Sequence, residues 1–190
     1  MFLGHFAFGL AAQPAAPRAP LPALLLAPML LDAIWPICCA VGLEQMRIVP
    51  GVTAASPLEL LYMPYSHSLA AAALWAVAFA VGYLAWTRDR RGAAVLAVCV
   101  LGHWFLDLVA HAPDMPLLFG DGPRYGLGLW RSLPGTLVTE LAMFAIGVAI
   151  YARGTRARDR VGAIGWWVLA GVLALAFVAA TLGPPPPSER

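Results

Sequence analysis

Residues 90–111 read RRGAAVLAVCVLGHWFLDLVAH, and this stretch decides the architecture. It opens on Arg90 and Arg91, then runs apolar from Ala93 to Ala110. An apolar run of about 17–25 residues is the length a helix needs to cross a bilayer. Its second half carries His103, Asp107 and His111, spaced His-x3-Asp-x3-His. Residues four apart on a helix share a face, so the spacing stacks three polar groups on one side of a membrane helix. A carboxylate at such a depth costs about 2.5–3.5 kcal/mol on insertion scales. The segment therefore reads both as a span and as part of a functional site.

The rest of the chain supports the membrane reading. Of its 190 residues, 61% are hydrophobic and 12% charged, with a mean hydropathy of +0.77. Soluble domains run at about 45–50% apolar and about 25% charged. The composition excludes a disordered chain, a nucleic-acid-binding domain and an ordinary cytosolic enzyme. The net charge is +2, and every basic side chain is Arg, with no cluster suited to nucleic acid. Cys38, Cys39 and Cys99 fall in apolar runs and read as small packing residues rather than a disulfide framework.

Four further apolar segments of crossing length are Leu21–Leu43, Ser68–Trp86, Leu133–Ala152 and Val161–Leu182. The expected fold is all-α: a polytopic membrane bundle of about five transmembrane helices plus a short N-terminal helix, Met1 to Ala12. No positive residue precedes that first stretch, so it reads as retained rather than as a secretory signal. Residues 1–183 form one membrane domain, and 184–190 a Pro-rich tail. Pro36 is expected to kink or break the first long helix. Arg18, Arg88, Arg90, Arg91, Arg153, Arg156, Arg158 and Arg160 alternate with Arg-poor connections. The positive-inside rule makes the Arg-rich side cytoplasmic. The N-terminal region before the first span is then cytoplasmic, the C-terminus is outside, and connections 44–67 and 111–132 face outward as interfacial loops.

That orientation gathers the polar residues. The histidines are His5, His67, His103 and His111, and the acids within apolar segments are Asp32, Asp107 and Glu140. All can converge on one outward-facing cavity. Imidazole and carboxylate are donors suited to Zn²⁺, with Mn²⁺ or Fe²⁺ as other choices. Eight residues of helix rise about 12 Å, too far for His103, Asp107 and His111 to share one ion, so the ladder suits two. Asp32 or Asp107 is placed to orient or deprotonate water. Arg124 and Arg131 in the outer loop suit a phosphate, and Tyr65 its mouth.

These residues resemble the YdjM-type family of inner-membrane metal-dependent hydrolases, described as LexA-binding. The resemblance lies in Gly4-His5, Leu30-Leu31-Asp32, Ser66-His67-Ser68 and Gly102-His103 through Asp107. Asp32 is followed by Ala33 and Ile34, where that family often has a second acid. The family is distantly similar to zinc-dependent phospholipase C and P1-type nucleases. The resemblance implies a bacterial-type inner membrane, divalent metal (Zn²⁺, two ions) and hydrolysis of a phosphoester. The metal ligands carried over are His5, Asp32, His67, His103, Asp107 and His111, with Glu140 as a further one. A substrate reached from the bilayer would be a lipid phosphoester. Two other readings stay open: a metal-ion or proton transporter, and a non-catalytic membrane assembly protein. Against transport, the inner halves of the helices hold no acid or histidine.

Overall fold

The structure is a computed structural model that describes residues 1–120 and 122–184. Asp121, and all but the first residue of the Pro-rich tail, lie outside the described residues. The chain is an all-α bundle. A short helix α1 (Leu3–Ala11) is followed by five long ones: α2 (Leu21–Ala40), α3 (Leu69–Thr87), α4 (Arg90–Ala110), α5 (Leu133–Gly154) and α6 (Arg160–Leu182). All five are long and apolar enough to cross a membrane, which makes this a multi-pass membrane protein. Their outward faces carry Val77, Val81, Val98, Val138 and Leu175, all more than half exposed. A helix that is apolar all round needs a non-aqueous neighbour.

Helix starts follow local chemistry. Ser68, Asp89, Ser132 and Asp159 each accept a hydrogen bond from the backbone N–H three residues on, satisfying an orphan donor of α3, α4, α5 and α6. Arg88 ends α3 in a left-handed conformation. Only Arg88 and Asp89 separate α3 from α4, so these two pack as an antiparallel pair.

Two cores lie side by side. One joins α2, α3 and α4 around Leu24, Leu31, Ala72, Leu96 and Val100. The other joins α1, α5 and α6 around Leu3, Leu10, Phe144 and Phe177. Helix α1 is the seam, touching α2, α4, α5 and α6. Glycine permits that intimacy. A Cβ on Gly9 would overlap the Leu24 carbonyl of α2, and one on Gly147 of α5 would meet the backbone of Ala7. Small residues let membrane helices approach this closely. Pro28 cannot donate to Leu24, so the carbonyl that Gly9 meets is the one Pro28 leaves free.

Helix α2 runs through Pro28 and Pro36 to Ala40 without a break, so Pro36 does not end it. The connections expected to be irregular contain sheet. Strands β1 (Gln45–Ile48) and β2 (Leu58–Tyr62) pair antiparallel, Ile48 opposite Leu58. A shorter pair, β3 (Met115–Pro116) and β4 (Arg124–Tyr125), follows α4. Both hairpins sit at the end of the bundle opposite the Arg-bearing turns, and Ala55 N–H donates to the Trp130 carbonyl at 3.0 Å to join the two connections.

Candidate metal centre

His5, Asp32, His67, His103, Asp107 and His111 come together from α1, α2, the residue before Ser68, and α4. One donor atom from each of Asp32, His67, His103 and Asp107 lies within 4.8 Å of the others. His103 Nε2 is 2.9 Å from Asp107 Oδ2, and His67 Nε2 is 3.4 Å from Asp32 Oδ1. The two imidazole Nε2 atoms are 3.3 Å apart. Nitrogens and oxygens converging in this way fit a divalent cation.

Asp107 has partners on both oxygens. Oδ2 faces His103, His67 at 3.7 Å and His111 at 3.6 Å. Oδ1 faces His5 Nε2 at 3.0 Å and the amino group of Met1. His5 also stacks on His103, ring centroids 3.8 Å apart. Asp107 is buried, whereas the Asp32 side chain keeps 31% of its surface open. The one-turn spacing does place His103 and His111 on either side of Asp107. Helix α4 ends at Ala110 and His111 has extended backbone angles, yet its N–H still donates to the Asp107 carbonyl at 2.8 Å and its ring lies beside the Asp107 carboxylate. Hydrogen bonds from Gly128 to the His111 carbonyl and from Leu127 to that of Leu108, both 2.7 Å, hold the outer loop against this end.

Three imidazoles are oriented through Nδ1. That of His103 meets the Pro28 carbonyl at 2.6 Å, that of His67 the Ser66 hydroxyl at 2.6 Å, and that of His111 the Asp114 carboxylate at 3.1 Å. Each leaves Nε2 facing Asp107, the arrangement by which outer partners fix metal-binding histidines. His5 Nδ1 has no such partner among the described residues. Behind His67 stands Glu44, which is buried and accepts from the Ser66 hydroxyl at 2.6 Å and from the Tyr65 and Ser66 amides at 2.8 Å. Neither Glu44 nor Asp114 is among the site residues expected from the sequence. Glu44 stands just past an apolar run, where nothing in its spacing ties it to Ser66 twenty-two residues on.

The centre lies at the floor of a cavity of about 430 Å³, bordered by Asp32, His67, Asp107 and His111. Glu140 borders it too, but its carboxylate accepts from the amides of Phe2 at 2.8 Å and Gly4 at 3.2 Å, so it caps the start of α1. It stands outside the four-residue donor group. Arg124, Arg131 and Tyr65 do not border the cavity. The Arg124 guanidinium donates to the Leu61 carbonyl at 2.7 Å. No Arg is among the described residues that line the cavity. Trp35 also lines it, in edge contact with His67, and its shielded indole N–H has no acceptor among the described residues. Trp104 is buried and donates to the Pro116 carbonyl.

Comparison with known families, curated proteins and solved structures gives no match to this chain.

Proposed function

We propose that the chain is a membrane-embedded, metal-dependent hydrolase that cleaves a lipid phosphoester at the outer face of the membrane, in keeping with its resemblance to YdjM-type hydrolases. The observation that carries the reading is the convergence of Asp32, His67, His103 and Asp107 at the floor of a cavity. Structural metal sites are closed, and catalytic ones keep a side open to water or substrate. Zn²⁺ suits the imidazole–carboxylate donor set. Two ions are favoured because Asp107 has separate partners on its two oxygens: His103 and His67 on one, His5 on the other. Bound divalent cations would activate water and neutralise phosphoryl charge.

The chain's own groups divide the remaining work. Asp107, ringed by imidazoles and buried, holds the centre together. Asp32, the open carboxylate, is the better placed to take a proton from the attacking water. The net reaction adds one water across a P–O bond: the phosphoryl group keeps the hydroxyl, and the leaving oxygen takes up a proton. Among the described lining residues of the cavity there is no Arg to bind phosphate, so the metal centre is left to meet that charge. The orientation follows the Arg-bearing turns, placed on the cytoplasmic side. Transport is the weaker reading, because Leu24, Ala27, Leu96 and Val100, all fully buried, close the bundle between the site and its Arg end.

The test is headgroup or phosphate release from a panel of phospholipids and lipid phosphates, with metal added and chelated. Turnover lost in Asp107→Asn and on chelation supports the reading. Turnover that survives both, or a metal-filled protein inert on every member, overturns it.

A further inference from the structure

The cavity is chemically two-sided. Its floor is the polar centre, but its walls are Met29, Trp35 and Pro36 of α2 and Ala176, Phe177 and Ala180 of α6. These helices make no extended contact with each other: α2 packs on α1, α3 and α4, and α6 on α1 and α5. Asp32, the partly open member of the centre, lines the cavity that these two helices wall.

A second hollow begins at that point. It runs along the outer surface of α2 and is lined by Pro22, Leu25, Leu26, Met29 and Ala33, with Phe6 of α1 beside it. It shares Met29 and Asp32 with the cavity, so the two adjoin at these residues. Positions 22, 25, 26, 29 and 33 follow helical spacing and form one apolar stripe. From Pro22 to Ala33 the helix rises roughly 16 Å at 1.5 Å per residue. Half of a hydrocarbon core of about 30 Å is close to this length. The acidic end of the hollow lies toward the hairpins and its apolar end toward the Arg-bearing turns, the order of headgroup and chain in a lipid of the hairpin-side leaflet. Because Asp32 stands near the middle of α2 (Leu21–Ala40), such a lipid is drawn inward from its leaflet to bring its ester to the centre.

We infer that the groove along α2 from Asp32 to Pro22 is a binding site for one hydrocarbon chain of a membrane lipid, which enters sideways between α2 and α6 with its phosphoester in the cavity. The inference rests on the hydrolase reading for the fate of the phosphoester, but not for the seating of the chain. The substrate class becomes a lipid with a hydrocarbon chain close to the cleaved ester, drawn from the bilayer rather than from water.

The seating is tested without turnover. Metal-free protein in phosphatidylcholine vesicles is photolabelled with a phosphatidic acid carrying a diazirine in its acyl chain, and the labelled peptides are mapped. Labelling concentrated on residues 22–33, and reduced several-fold by Leu26→Trp, is expected. Even labelling of the lipid-facing surfaces of α3, α5 and α6 would overturn the proposal. If the protein is active, Leu26→Trp should lower the ratio of long-chain to short-chain phosphoester turnover about tenfold, whereas Val81→Trp on α3 should leave it unchanged. An unchanged ratio in Leu26→Trp also counts against the groove. A protein inert on both esters but labelled on residues 22–33 would refute the hydrolase and leave the chain site standing.

Discussion

Glu44 reaches His67 through one hydroxyl. Ser66 donates to Glu44 Oε2 at 2.6 Å and receives the His67 Nδ1 contact at 2.6 Å, so a buried carboxylate just past α2 sets the ring angle of a residue at the start of α3. Outer partners of this kind typically change metal affinity by about 10–100-fold. Ser66→Ala should weaken metal binding within that range while keeping the helical content. Competition against a chelating dye measures it, and wild-type affinity in Ser66→Ala would remove Glu44 from the account of the site.

Metal should also hold the fold together. Donors from α1, α2 and α4 and from the turn before α3 meet at one point, so an ion that binds only the native arrangement stabilises it by mass action. At a free concentration of about 100 times Kd this is worth about 2.7 kcal/mol. Purified protein should carry divalent metal by elemental analysis, and chelation should lower its Tm. His103→Ala should carry less metal and show a smaller chelation effect. Identical melting with and without chelator would count against the centre.

The affinity should fall as pH is lowered. Imidazole and carboxylate ligands bind metal only when deprotonated, so protons compete with the ion, and loading releases protons. The direction is single: tighter at neutral pH, weaker in acid. Metal titrations across a pH series check this, and affinity independent of pH would argue that His67 and His103 are not ligands.

Helix α1 should tolerate no side chain at Gly9. A Cβ there would overlap the Leu24 carbonyl, and forced overpacking costs about 1–3 kcal/mol. Gly9→Val should lower the Tm and also weaken metal binding, because displacing α1 moves His5 away from Asp107. A Cβ at Gly82 of α3 meets open space, so Gly82→Val should keep wild-type metal affinity. Equal metal affinity in the two variants would detach α1 from the site.

Sidedness can be read from the long hairpin. A cysteine at Thr53, in a background with Cys38, Cys39 and Cys99 replaced by Ala, should react with an impermeant maleimide added outside intact cells. Reaction only in inverted vesicles would reverse the orientation and place the centre on the cytoplasmic side.

Much of this was legible in the chain because a bilayer imposes few solutions. Apolar runs of crossing length have to be helices, since hydrocarbon offers backbone groups no partner. The five observed long helices begin and end within about three residues of the apolar runs. The same solvent made His103 and Asp107 conspicuous, because polar groups are costly there. Their one-turn spacing put them on one face whatever the other helices did.

Tertiary structure decided the rest. Whether His5 joins the centre depends on α1 entering the bundle, which rests on Gly9 meeting a carbonyl that Pro28 leaves free; periodicity carries no trace of that contact. Pro36 is expected to kink or break its helix, and of these the break does not occur: the helix continues to Ala40. His111 keeps its one-turn relation to Asp107, but what holds the outer loop against that end of α4 is a pair of hydrogen bonds from residues 127 and 128, remote in sequence. Glu140 looked like a ligand from its depth, but its oxygen is engaged by the amides at the start of α1. Local sequence determines which segments are helical and which residues are costly to bury, because those energies depend on the residue and its solvent. Which costly residues meet depends on close contacts between distant segments, and only the folded chain holds those.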